Sequence, residues 1–298
     1  METSADEVRD TFLVTPQAQK VYHDWENNPQ RIAHGVVSTM RNHTTKAIYD
    51  CSVATFEWIK ENHTHPLGNL KKKEIEHIEL AENWEPDFAF VHLFHLLMED
   101  LDRPPLWSEF DQFAYGTDEG KAMFGDDRLA REAEIFEQEL KRISAERPTW
   151  KNPENRAQYL AKGSLDWRIG NAYYGFMRDM YTATALREKG LDVRVHPLAD
   201  ANFRADGWIG NRLLSVFVVN PKYKVADQQK ADKVQRGRKK DVEQLFPGSQ
   251  FEFVTLTMDG ASEHGKFHFP NPAAIDEVDQ LLRPPSQSGL PQEMEASE

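Results

Sequence analysis

Residues 213 to 224 read LLSVFVVNPKYK. The apolar, β-branched and aromatic residues from Leu213 to Val219 suit a buried pleat. The run ends on Asn220-Pro221-Lys222. Pro221 either stops an ordinary strand, or the strand carries the Lys222 ammonium to a site. Lys224, Lys230, Lys233, Arg236 and Lys240 follow closely. On a helix beginning near residue 226, the last four of these share one face. Such a row of cations suits a nucleic-acid phosphate backbone, with a solvated helix face as the plainer alternative. A third group, His92, His95 and Glu99, has helical spacing that brings two imidazoles and a carboxylate near one another. Phe90, Phe94 and Leu96 surround them, so packed histidines rather than metal ligands are expected.

The elements that must position these groups differ between the two halves of the chain. Residues 1–18 are acidic and polar and read as a flexible arm, and 19–147 as a mostly helical domain. Apolar residues recur there at helical spacing, as in EPDFAFVHLFHLLMED. Pro148 and Pro153 mark a linker over 148–163. From 164 to 283 the pattern becomes a helix over 166–189 ending at Gly190, strands over 192–198, 203–210 and 213–219, a basic helix over 226–246, a strand over 250–258 and a closing helix. Gly210-Asn211 is a tight-turn signal. The expected fold class is α+β, a helical domain followed by a small αβββαβ mixed-sheet domain. Residues 284–298, rich in Pro, Ser and Glu, read as a disordered tail.

That element order, with three of its polar residues, resembles the PD-(D/E)XK nuclease superfamily. The family core runs αβββαβ, with an acid on the first helix, an Asp at the second strand and an acid-x-Lys at the end of the third. Here Asp179 precedes an L-x-x-x-G element (Leu186 to Gly190), Asp206 lies in RADGWIG, and NPK supplies Lys222. Asn220 stands where the family keeps an acid. The resemblance covers about residues 166 to 258. It implies a restriction-endonuclease-like fold and metal-dependent cleavage of phosphodiester bonds, with Mg²⁺ or Mn²⁺ as cofactor and DNA as the expected substrate. Asp206 would be the main metal ligand, Asp179 a second and Asn220 a weaker carbonyl donor; Lys222 would orient the attacking water or hold the phosphate. Asp200 is a spare carboxylate nearby. The other reading is a catalytically inactive protein of that fold, used for nucleic-acid binding or as an assembly subunit.

Charge qualifies this picture. The net charge is −13, which opposes indiscriminate binding to nucleic acid. The acidity is uneven: residues 164–283 hold 17 Lys and Arg against 16 Asp and Glu. The acidic helical half therefore suits a protein partner better than DNA. One cysteine, Cys51, excludes an internal disulfide. The acidic start is unlike a secretory or transit signal, and no apolar run is long enough to cross a bilayer. A cytoplasmic protein is expected.

Overall fold

A computed structural model describes residues 1–64, 90–118, 120–121, 134, 138, 153–219, 239–249, 251–259 and 268–283. Within them the chain is a mixed α+β protein with two small sheets. The N-terminal part runs β1 (Thr3–Ser4), α1 (Ala5–Phe12), α2 (Pro16–Glu26), α3 (Pro29–Ala33), α4 (Val36–Asn42), β2 (Thr44–Thr45), a 3₁₀ turn (Ala47–Asp50) and α5 (Val53–Asn62). Then come α6 (Phe90–Leu101), α7 (Trp107–Gly116) and α8 (Pro153–Glu188). The C-terminal part holds α9 (Pro197–Phe203), β3 (Gly207–Ile209), β4 (Arg212–Val219), α10 over 239–245, β5 (Glu252–Asp259) and α11 (Pro272–Leu282).

α8 organises these elements. It starts at Pro153 rather than near 166, inside the segment expected to be a linker; a proline fits the first helical turn, where its missing N–H costs nothing. Its C-terminal part is buried on every side over seven consecutive residues, Met180 to Leu186. Such a helix must be covered all round. It packs on α5, α6 and the 3₁₀ turn, and also on β4 and α11. It ends as its sequence predicts: Gly190 takes φ 86°, and Leu191 N–H reaches back to the Leu186 carbonyl at 3.2 Å.

The main sheet has the order β3-β4-β5. β3 and β4 are an antiparallel hairpin closed by Gly210-Asn211, with Ile209 opposite Arg212 and Gly210 at φ 55°. β4 and β5 are parallel and paired from Arg212↔Glu252 to Val219↔Asp259. Leu213 to Val216 are buried in succession, as expected of a strand covered on both faces. The strand expected over 192–198 is reduced to one bridge, between Arg194 and Trp208. The reason is local. Pro197 cannot donate to a ladder and instead opens α9, with the His196 ring accepting the Leu198 N–H at 3.0 Å. A Cβ at Gly207 would sit 3.2 Å from the Arg194 carbonyl, so any side chain there would push the bridge apart by a few tenths of an ångström. The second expected strand is likewise shorter, 207–209, because α9 extends to Phe203.

The start of the chain departs most from expectation. Residues 3–12 are not a loose arm. β1 pairs with β2, and α1 is capped by the Ser4 hydroxyl, which accepts the Glu7 N–H at 3.2 Å. Val8 and Phe12 are fully buried. Phe12 lies among aromatic rings of the C-terminal half: Phe203 at 4.9 Å, Trp208 at 5.3 Å, Phe251 at 5.7 Å and Phe246 at 6.0 Å between centroids. Thr15 donates to the Leu245 carbonyl of α10. One apolar core thus contains residues from both halves. Acidity hid this, because Asp6, Glu7 and Asp10 lie around α1 while its apolar residues Ala5, Val8 and Phe12 form a helical stripe.

Replacing Phe12 with Ala is expected to destabilise the whole chain by about 3–5 kcal/mol. Urea unfolding checks this, with coincident loss of N-terminal helical signal and of fluorescence from Trp208. A flexible arm would give no change.

Candidate functional site

Asp179 and Asp206 lie on elements that the core brings together. Asp179 is half-buried on α8, next in sequence to Arg178 and to the buried Met180. α8 packs on β4, and Asp206 immediately precedes β3, the antiparallel neighbour of β4. Asp206 is tied to β4 twice. Its N–H donates to the Leu214 carbonyl at 3.0 Å, and its Oδ2 accepts the Val216 N–H at 2.7 Å. The carboxylate thus occupies the place in the ladder that a backbone carbonyl would fill. Its position is set by the strand that leads to Asn220.

Asn220 and Lys222 lie outside the described residues, as do Lys224, Lys230, Lys233 and Arg236. Lys240 is described: it is exposed at the start of the α10 residues, beside the exposed Lys239. Asp200 sits in the first turn of α9 and is half-buried. Among the described residues, no three His, Cys, Asp or Glu side chains are placed to hold a metal ion. The donor set expected from the sequence includes Asn220, which is not one of them.

Arg178 was not singled out from the sequence. Burial lowers its affinity for a proton, partly offset by the charge of Asp179. A desolvated guanidinium beside a carboxylate favours an anionic partner. The signal available in the sequence was only its adjacency to Asp179.

The histidines of α6 go elsewhere. His92 and His95 face His43, which follows α4, and all three lie with His196 in the core. Glu99 does not join them. Its carboxylate accepts the N–H groups of Lys46 and Ala47 at 2.9 and 3.0 Å, holding the start of the 3₁₀ turn. Periodicity placed His92 and His95 on one face; His43 and His196, distant in sequence, carried no local sign of joining them.

No protein-family model matches the chain, and no curated protein or solved structure matches it. Among the described residues, no helix is long and apolar enough to cross a membrane.

The Asp206 hydrogen bond separates two effects of mutation. Asp206→Ala leaves the Val216 N–H without its acceptor and is expected to cost about 1–3 kcal/mol in denaturant unfolding. Asp206→Asn keeps an oxygen acceptor and is expected to stay within about 1 kcal/mol of the parent. Equal losses in both would show that the negative charge, rather than the ladder hydrogen bond, stabilises the hairpin.

Proposed function

We propose that the chain is a metal-dependent nuclease, cleaving phosphodiester bonds with Mg²⁺ or Mn²⁺, and that Asp206, Asp179, Asn220 and Lys222 form its site. The observation that carries this reading is the attachment of the Asp206 carboxylate to β4, four residues before Asn220. An acid held on the strand that ends in N-P-K is what the family pattern requires of its second and third strands. The antiparallel β3–β4 pair, the parallel β4–β5 pair and the helix α8 carrying Asp179 are consistent with the same core.

The chemistry follows from charge. In-line attack on a phosphodiester concentrates negative charge on the phosphate oxygens, and a divalent cation offsets it while making bound water more acidic. Asp206 and Asp179 would supply hard anionic oxygens to that cation. Lys222 would orient the attacking water or hold the phosphate. Arg178 would balance the phosphate charge beside the acids. Lys240, with the other cations of its segment, would follow the nucleic-acid backbone.

A specific feature favours the second reading, an inactive protein of the same fold. Asn220 brings a dipole where the family has a full charge, and one Asp206 oxygen is already engaged by the sheet. In that case the chain binds nucleic acid or serves in an assembly without cutting.

The deciding assay incubates the full chain with double-stranded DNA, single-stranded DNA and RNA, with Mg²⁺ or Mn²⁺. Cleavage is expected, abolished by Asp206→Asn and reduced at least about 100-fold by Lys222→Ala. Binding without cleavage under all conditions would favour the inactive reading. Neither binding nor cleavage would reject both.

A further inference from the structure

Four imidazoles meet in the core from three distant parts of the chain. His43 lies between α4 and β2, His92 and His95 lie on α6, and His196 precedes α9. From the His43 ring, the centroid distances are 5.6 Å to His92, 5.8 Å to His95 and 5.3 Å to His196, all edge to face. His92 is fully buried and His95 is 1% exposed. Among the described residues, both ring nitrogens of His92, Nδ1 of His95 and Nε2 of His43 have no hydrogen-bond partner. Only His196 is fully used: Nδ1 accepts from the Leu198 N–H, which makes Nε2 the protonated nitrogen, donating to the His43 carbonyl at 3.2 Å. That carbonyl also accepts the Ala5 N–H at the start of α1. The cluster therefore joins α1, α4 and β2 to α6 and α9.

We propose that His43, His92, His95 and His196 form an acid-sensitive latch, which holds the N-terminal helices against α6 and α9 in neutral solution and lets them part in mildly acidic solution. A proton on any ring would put a charge in an apolar site next to three other imidazoles. No nearby carboxylate offsets it: among the described residues, none hydrogen-bonds any of the four rings. On α6, Glu99 is engaged by Lys46 and Ala47. On α4, Arg41 pairs with Glu26 at 2.6 Å. From α1, the charge of Arg9 adds repulsion at His196. α8 presents the Phe176 ring, 5.1 Å from that of His95, and α9 carries Asp200 in its first turn.

The direction of proton affinity agrees. Burial lowers His43 from its ordinary 6.5 to about 4. Burial, with the neighbouring His43, lowers His196 to about 3. His92 and His95 are held well below 6.5 by burial and then by the other rings. All four are neutral when the cluster is closed and protonate near 6.5 when it opens. Their contribution is thus complete above about pH 6.5 and is lost as the pH falls toward the closed-state values. A ring shifted as His43 is makes the opening equilibrium constant rise about 20-fold between pH 7 and pH 5. A metal site is the rival use of unpaired nitrogens. The described side chains are not arranged to converge on an ion, and the edge-to-face rings form a packed contact instead.

Hydrogen exchange of the full chain, corrected for its intrinsic pH dependence, tests the latch at pH 7.5, 6.0 and 5.0. Peptides from α1, α4–β2 and α6 are expected to lose protection first, while β4 and β5 remain protected. The opening should take up two or more protons. His92→Met is expected to lower that number by about one and keep the sheet protected; His95→Met serves if His92→Met does not fold. Simultaneous loss of protection everywhere would overturn the latch, as would an unchanged proton count in the variant. Binding of one equivalent of Zn²⁺ that His92→Met removes would also overturn it, by making the unpaired nitrogens ligands.

Discussion

A helix buried around its whole circumference has to be covered on every side, and α8 is such a helix from Met180 to Leu186. The sheet alone cannot do this. β4 and α11 cover part of it, and α5, α6 and the 3₁₀ turn cover the rest. The helical half is therefore the other wall of the same core. The same burial sets Asp179 in place, since a side chain on a helix fixed from all sides has little freedom of direction. α1 closes the far end, where Phe12 fills a cage of Phe203, Trp208, Phe246 and Phe251.

This arrangement bears on how a site near β4 would work. Asp206 is anchored by the sheet ladder and Asp179 by a buried helix. Groups on such rigid supports would lose little entropy on binding the metal and phosphate of the proposed site. Packing between the halves also couples the proposed site to the N-terminal elements. A disturbance at α1 would reach β3 through the contact of Phe12 with Trp208.

Much of the C-terminal order was legible because strands and turns write their period locally. LLSVFVV is apolar and β-branched, and Gly210-Asn211 can close a two-residue hairpin. The end of α8 was legible from Gly190 for the same kind of reason. The strand expected at 192–198 failed on Pro197, which can start a helix as readily as it can end a strand. Residues 1–18 look like a flexible arm because the charges of Asp6, Glu7 and Asp10 mask the short apolar stripe of Ala5, Val8 and Phe12. Of the site, Asp179 and Asp206 could be picked out only through a family pattern. The desolvation of Arg178 and the convergence of His43 and His196 with α6 depend on contacts between residues far apart in sequence, which no local period records.

The most direct measurement of the central claim is a calorimetric titration of the full chain with Mn²⁺, beside Asp206→Asn. The account predicts saturable binding by the parent, weakened at least about tenfold in Asp206→Asn while its unfolding curve stays close to that of the parent. Equal binding by both proteins, or none by the parent, would contradict the assignment of Asp206 to a metal site.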